Sequence, residues 1–390
     1  SEDETTFGRN VSTAVSDRAL WAALQVATDN RNAVAVFRFA DGQRNVTLIE
    51  GEGFCHQPAL AALPDGRTVV AWNEALDTGG WAIRCAFLDG TSGRVRTTET
   101  VHSGLAWCLP PAISADGNDL LLAWPQHGTP VIHIHLARRS DRGWDTIGPV
   151  TETDADAFRP SLAAAGGRAF LAWDSYRQGT YSVSIRDVGL ASSVICLRPP
   201  LCQRWLHPKL LASPTGHLYA TWTAIEDVTD DRGIVDHAVF APIVRLTTTP
   251  ALRLEQDVEK NALCTVADLR DGLLATDEYP YRGYAGLRRR PQLTMTAGGD
   301  LWCVWEARFG HEETSSAGHL LGRRSTASGK WEEPRILHSG GYAYSVPEHW
   351  PVGGLPIAFL LSESTGMDIV SSALVDEASA IVPADQAPGK

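Results

Sequence analysis

The chain has 390 residues, of which 44% are hydrophobic and 21% are charged, a composition typical of a folded domain. Its formal net charge of −12 argues against a function that depends on nucleic-acid phosphates, which requires an excess of lysine and arginine on one face. No apolar run approaches the roughly 20 residues that span a bilayer, so no membrane-spanning helix is predicted.

The seven cysteines contain no CxxC pair, so neither a zinc ribbon nor a dense disulfide scaffold is predicted, and most of them are expected to be buried. No secretory signal peptide is recognisable at the N-terminus. A secreted or periplasmic location is favoured only if a leader was removed before Ser1.

The first predicted elements are two apolar strands at 20–26 and 33–39. They resemble one unit of a repeat but lack its proline. We expect this unit to close a circular fold by combining strands from both ends of the chain.

Five further units share one pattern, in which a proline, a glycine turn and a tryptophan follow in a fixed order. The prolines are Pro58, Pro111, Pro160, Pro208 and Pro291, and the tryptophans are Trp72, Trp124, Trp173, Trp222 and Trp305. Each tryptophan lies 13 or 14 residues after its proline. This spacing accommodates a short strand, a tight turn and a second short strand.

A second pair of strands is predicted after each tryptophan, most clearly at 137–144 and 322–331. Four antiparallel strands make the blade of a β-propeller, and the proline steps of 53, 49 and 48 residues agree with blade repeats of roughly 40 to 50. A weaker copy is expected to begin at Pro347, with leucines in place of tryptophan.

The sequence therefore predicts an all-β fold, a seven-bladed β-propeller with four-stranded antiparallel blades around a central channel. Residues 1–390 form one domain in this interpretation, with blades that begin near residues 20, 58, 111, 160, 208, 291 and 347. The 83 residues between Pro208 and Pro291 leave an alternative open. The segment 240–288 is either an insertion or a degenerate eighth blade around 262–276.

Blade geometry predicts where a functional site lies. Residues just before each proline and just after each tryptophan should surround one mouth of the channel, and the glycine turns should surround the other. The first group is rich in arginine, histidine, tyrosine and carboxylates, a combination typical of a polar binding pocket. The second group contains simple turn residues, so the function is expected at the first mouth.

Arg159 and Arg290 are placed to hold a carboxylate or sulfate through two parallel hydrogen bonds, which favours an anionic ligand. His56 and His207 can exchange a proton near neutral pH, with Tyr176 as the partner acid. The remaining predicted substrate-binding residues are Arg289, Asp174, Arg177, Glu74, Gln126, His127, Glu306, Arg308, His349 and Tyr281.

Tyr281 belongs to a tyrosine-rich segment, 277–284, that is predicted to be a lid or an insertion packed on the side of the propeller. No cofactor is predicted. A metal site would require convergence of His56, His127, His207 or His349, and these residues show no local ligand spacing.

The repeat resembles that of sialidase-like, BNR-type propellers, particularly at 159–162 (Arg-Pro-Ser-Leu) and 171–177 (Leu-Ala-Trp-Asp-Ser-Tyr-Arg). Eroded forms of the sialidase Asp-box stand at 140–144 and 325–331. The use of histidine, tyrosine and arginine at a channel mouth is similar to that of propeller-fold polysaccharide lyases and related glycosidases.

This resemblance implies an enzyme that acts on an acidic, uronate-containing saccharide, by β-elimination. Arg159 and Arg290 would hold the uronate carboxylate, His207 or His56 would be the base, and Tyr176 the acid. One alternative is a glycoside hydrolase with two carboxylates among Glu74, Asp174, Glu226 and Glu306. Another is a non-catalytic carbohydrate-binding or protein-interaction propeller. A monomer is expected, with no nucleic-acid or membrane partner.

Overall fold

The computed structural model describes most of the chain, and every regular element in the described part is a β-strand. The described residues are 6–16, 19–28, 31–117, 119–128, 130–151, 154–165, 167–189, 194–199, 203–229, 235–248, 251–255, 291–307, 319–325, 331–332, 335–339, 343–350, 356–363 and 366–373. Within these ranges, no helix is long and apolar enough to cross a bilayer. The predicted lid at 277–284 and the predicted eighth blade at 262–276 lie outside them.

The first three blades are consecutive antiparallel sheets. Blade 1 contains β1 (Thr6–Ser16), β2 (Ala19–Thr28), β3 (Arg31–Ala40) and β4 (Gln43–Ile49). Blade 2 contains β5 (Phe54–Cys55), β6 (Ala59–Ala62), β7 (Thr68–Ala75), β8 (Trp81–Leu88) and β9 (Val95–Leu105). Blade 3 contains β10 (Ala112–Asp116), β11 (Asp119–His127), β12 (Ile132–Ser140) and β13 (Gly143–Pro149). In blade 2, β5 and β6 both pair with β7 and together form the inner strand.

Blades 4 to 6 follow the same plan. Blade 4 contains β14 (Asp156–Ala165), β15 (Arg168–Arg177), β16 (Thr180–Asp187) and β17 (Val194–Leu197). Blade 5 contains β18 (Gln203–Ala212), β19 (Leu218–Thr229), β20 (Val235–Phe240), β21 (Ile243–Thr247) and β22 (Arg253–Leu254). Blade 6 contains β23 (Gln292–Thr296), β24 (Leu301–Ala307), β25 (His319–Ser325) and β26 (Arg335–Ser339).

The propeller fold with four-stranded blades is confirmed, but the described residues form six such blades and not the predicted seven. A further sheet has three strands in the described residues, which are β27 (Ala343–Ser345), β29 (Pro356–Glu363) and β30 (Gly366–Ala373). The expected start of this unit at Pro347 was wrong, because its first strand ends at Ser345 and Pro347 follows it. The intervening β28 (His349–Trp350) pairs in parallel with β23 of blade 6 instead.

The closure of the propeller also differs from the prediction. All four strands of blade 1 come from the N-terminal region, so in the described chain this blade does not combine strands from both ends. The three-stranded sheet lies between blades 6 and 1. Its Ser345 hydroxyl hydrogen-bonds Thr13 of β1 at 2.8 Å, and Gln292 of β23 donates to the carbonyl of Tyr344.

The repeat tryptophans fill the wedges between blades. Trp124 of blade 3 is buried in one cluster with Ile83 and Phe87 of blade 2. Trp222 of blade 5 is buried with Phe170 of blade 4, and the other three tryptophans pack on the preceding blade in the same way. A single blade cannot bury its own faces, so this packing between neighbours supplies the hydrophobic core.

A recurrent hydrogen bond joins the inner strands of adjacent blades. Ser161, the residue after the repeat proline of blade 4, accepts the backbone N–H of Leu210 in blade 5 at 3.0 Å. Ser12 of β1 accepts the N–H of Leu60 in blade 2 at 2.9 Å, and Gln292 accepts that of Val346. These side chains accept hydrogen bonds from backbone N–H groups that point away from the neighbouring strand of their own sheet and so have no partner there.

We predict that Ser161→Ala destabilises the protein, because it leaves the buried N–H of Leu210 without an acceptor. The expected loss is about 1–3 kcal/mol in the free energy of unfolding, measured by urea denaturation. The equivalent substitution Ser12→Ala should have a similar effect between blades 1 and 2. Unchanged stability of both variants would show that these bonds do not hold the blades together.

The segment after β27 crosses the inner edges of two blades. The carbonyl of Glu348 accepts the N–H of Met295 at 2.9 Å, and the side chain of His349 hydrogen-bonds the carbonyl of Ala212 in blade 5. Glu348 has exposed surface, but many protein atoms lie around its carboxylate. The resulting desolvation raises the pKa of Glu348 to about 7, although Lys209 acts in the opposite direction.

This shift predicts a pH-dependent stability. A glutamate in an unfolded chain titrates near 4.3, so between that pH and about 7 the folded protein binds the extra proton. Stability therefore falls as the pH rises through this window. We expect Glu348→Gln to unfold at a higher temperature than the native protein at pH 8 and to differ less at pH 5. An equal difference at both pH values would contradict the shift.

Candidate functional site

Unusual backbone conformations concentrate at one place in the propeller. Among the described residues, four that are not glycine have a positive φ, and three of them lie in blades 4 and 5: Arg159 (49°), Gln178 (51°) and His207 (56°). The fourth, Asp41, occupies the tight turn between β3 and β4. A left-handed conformation costs an ordinary residue about 1–2 kcal/mol, so it persists only where the surrounding structure enforces it.

Arg159 and His207 occupy equivalent positions, each directly before a repeat proline. The strand register shifts there in both blades, between Phe158 and Ser161 in one and between Leu206 and Lys209 in the other. Proline cannot donate a hydrogen bond to the neighbouring strand, so a β-bulge at this point leaves no ladder bond unmade. The bulge redirects the side chain that precedes the proline.

The Arg159 guanidinium is held from two sides. Its Nε donates to Oδ1 of Asp174 at 2.8 Å, and its Nη2 forms an ion pair with Oδ2 of the same carboxylate. The guanidinium carbon lies 5.7 Å from the centre of the Phe158 ring and 5.6 Å from that of Tyr181. Arg159 also hydrogen-bonds the Tyr181 side chain. Since the Arg159 side chain is 35% exposed, part of the guanidinium remains open to a ligand.

Asp174 connects the two blades. Its side chain is fully buried, and its carboxylate accepts the backbone N–H of His207 as well as the donors of Arg159. Burial raises the pKa of Asp174, and the guanidinium of Arg159 opposes this shift. The Asp174 carboxylate is thus engaged by protein donors, and its predicted contact with a saccharide stays a prediction. It positions Arg159 and His207 at the same mouth.

The tyrosines of blade 4 are presented by a tight hairpin. Tyr176 at the end of β15 pairs with Tyr181 at the start of β16, and their ring centroids are 4.8 Å apart. The intervening turn has positive φ at both Gln178 and Gly179, as a two-residue type I′ hairpin requires. Arg177 forms an ion pair with Asp154, which precedes the inner strand of the same blade.

The other predicted residues of the mouth are more dispersed. His56 of blade 2 lies 5.1 Å from the ring of Trp81 in its own blade, and burial lowers its pKa. It makes no described contact with Arg159, Asp174 or His207. In blade 3, Gln126 accepts a hydrogen bond from Trp124, and His127 is exposed. In the described part of the chain, no three histidine, cysteine, aspartate or glutamate side chains are arranged to hold a metal ion.

Two further predicted substrate-binding residues make contacts within the protein. Glu74 is 1% exposed, and its carboxylate accepts Gly53 N–H at 2.8 Å and pairs with Arg84, so it fixes a loop. His349 pairs with Met295, next to the glycine turn of blade 6, and so lies towards the opposite mouth. The substrate-binding roles of Glu74 and His349 stay predictions.

The remaining predicted residues lie outside what the structure describes. These are Arg289, Arg290, Tyr281 and Arg308 and the side chains of Glu226 and Glu306. Their roles stay predictions.

Tyr181 and Asp154 are site residues that the sequence analysis missed. A signal for Tyr181 was present, because Gln178-Gly179 is a two-residue turn signal between alternating polar and apolar residues. Tyr176 and Tyr181 stand symmetrically about this turn and must therefore pair.

We predict that Asp174→Ala lowers the free energy of unfolding by about 3 kcal/mol. The substitution leaves the partly buried Arg159 guanidinium and the backbone N–H of His207 without their acceptor. Asp187→Ala is a matched control at the other end of the same blade, where a buried Asp187 pairs with Arg168. Urea denaturation should show similar losses for both variants. Native stability of Asp174→Ala would contradict the positioning role.

The chain was compared with known proteins. No protein-family model matches it, and no curated protein sequence matches it. The solved structure of the polysaccharide lyase Uly1 is similar, with 11% identity, a TM-score of 0.50, and coverage of 92% of this chain and 88% of that one. This likeness shows a shared fold.

Two further solved structures have lower scores. A protein of unknown function from Dyadobacter fermentans has 11% identity, a TM-score of 0.49, and coverage of 83% of this chain and 95% of its own. A thermostable family-43 glycoside hydrolase has 12% identity, a TM-score of 0.41, and coverage of 65% and 94%. The resemblance to sialidase-like propellers stays a prediction.

Proposed function

We propose that this protein is a carbohydrate-active enzyme that cleaves an acidic, uronate-containing saccharide by β-elimination at the mouth formed by blades 4 and 5. The observation that carries the proposal is the pair of strained residues, Arg159 and His207, which one buried carboxylate fixes on adjacent blades. Strain of this kind is retained where function requires it. The shared fold with a polysaccharide lyase agrees with the proposal.

Arg159 binds the uronate carboxylate in this proposal. Nε and Nη2 face Asp174, and the guanidinium also hydrogen-bonds Tyr181, so the uronate carboxylate would take the N–H donors that these contacts leave. The pair carries no net charge, so selection of the carboxylate depends on directed hydrogen bonds and not on excess positive charge. Binding of an anion by directed hydrogen bonds is compatible with the net charge of −12, because it does not require a positively charged surface.

The proposed reaction needs one base and one acid. His207 removes the proton from C5 of the uronate, and the electron pair forms the C4–C5 double bond as the C4–O bond breaks. A tyrosine hydroxyl donates a proton to the leaving oxygen. Tyr181 suits this role better than the predicted Tyr176, because its side chain hydrogen-bonds Arg159, the residue that binds the uronate in this proposal.

The buried carboxylates weigh against the hydrolase alternative. A glycoside hydrolase needs two carboxyl groups that flank the scissile bond. Glu74 and Asp174 are both buried and engaged by protein donors, so neither can flank a substrate. A hydrolase would therefore depend on Glu226 and Glu306.

The proposal is tested by incubation with pectic, ulvan-like and gum-type glycans. Ultraviolet absorbance of unsaturated uronate and the number of reducing ends should rise together. Reducing ends without absorbance would replace the lyase with a hydrolase, and binding with neither signal would indicate a lectin.

His207→Asn tests the base without disturbing the bulge, because asparagine tolerates a positive φ. We expect a loss of kcat of at least 100-fold with the native fold intact, as judged by circular dichroism. The matched control is His217→Asn, at the exposed glycine turn of the same blade, which should retain native kcat. A His207→Asn variant with native kcat would remove this residue from the mechanism.

A further inference from the structure

One aromatic side chain at the mouth is open to solvent beside the proposed reaction centre. Tyr176 is 38% exposed, whereas the neighbouring Tyr181 is partly buried. The two rings are 4.8 Å apart and tilted by 43°. Large exposed aromatic rings are uncommon on a protein surface, and tyrosine is favoured where a flat apolar face and a hydroxyl are used together.

The open ring is held rigidly. Gln178 and Gly179 form the tightest hairpin turn available, with Gln178 in a costly left-handed conformation. The ion pair of Arg177 with Asp154 ties the hairpin to the inner strand of its blade. A preorganised surface loses little entropy when a ligand binds.

The two tyrosines have different surroundings, which suggests different roles. The guanidinium of Arg159 covers Tyr181 at 5.6 Å, so that ring is already occupied by protein. Tyr176 packs on Tyr181 and shows the rest of its surface to solvent. Tyr176 thus stands one ring away from the group that binds the carboxylate.

We propose that Tyr176 is a stacking platform for the sugar that adjoins the uronate held by Arg159. The C–H groups of a pyranose ring pack on the face of a tyrosine, and the exposed Tyr176 ring offers such a face beside Tyr181. The identity of the saccharide rests on the proposed function. The platform makes Tyr176 a binding residue and not the predicted acid.

The test separates binding from proton transfer with two variants. Tyr176→Phe keeps the aromatic face and should retain the native KM, whereas Tyr176→Ala should raise KM about tenfold with kcat changed less than threefold. Ile147→Ala removes an exposed apolar side chain from β13 of the neighbouring blade and should change neither constant. A large loss of kcat in both tyrosine variants, at native KM, would make Tyr176 the acid and overturn the platform.

A second measurement keeps the proposal testable if the protein cleaves nothing. Isothermal titration calorimetry with acidic oligosaccharides from pectin and ulvan should show tenfold weaker binding by Tyr176→Ala than by the native protein. Native binding without unsaturated product would refute β-elimination and leave the platform standing. Equal affinity of the native protein and Tyr176→Ala, or no binding by either, would refute the platform.

Discussion

The packing of each blade on its neighbour is the constraint on which the rest of this structure depends. A four-stranded blade has two faces, and neither can be buried within the blade itself. The repeat tryptophan solves this problem by filling the wedge to the preceding blade, as Trp124 does against Phe87. A side chain after the repeat proline, such as Ser161, then joins the inner strands by a hydrogen bond. The repeat is therefore a repeat of interfaces as much as of strands.

The candidate site lies at one of these interfaces, between blades 4 and 5. The residue after the repeat tryptophan can reach the next blade: Asn73 donates to the carbonyl of Cys108, and Asp174 accepts the N–H of His207. In blade 4 this position carries a charge, so it holds an arginine as well. A contact that elsewhere only fastens two blades here also positions two chemically active side chains.

The geometry of the candidate site lowers the stability of the fold. Three residues in left-handed conformations together cost several kcal/mol, a large fraction of the 5–15 kcal/mol that separates folded from unfolded states. The buried pair of Asp174 with Arg159 adds a desolvation cost that its hydrogen bonds offset only in part. The tryptophan-filled wedges on either side of blade 4 supply the apolar burial that makes such a site tolerable.

The sequence by itself determined the propeller and the four-stranded blade and predicted a polar mouth, because proline, glycine and tryptophan impose local constraints that recur at regular intervals. The blade count, the register at Pro347 and the positions of Glu74 and His349 were decided by tertiary structure. Whether a carboxylate is buried, or which strand a short segment joins, depends on contacts between residues distant in the chain. Asp174 illustrates the difference: the sequence placed it directly after a tryptophan, but only the approach of the next blade buried its carboxylate against Arg159 and the N–H of His207.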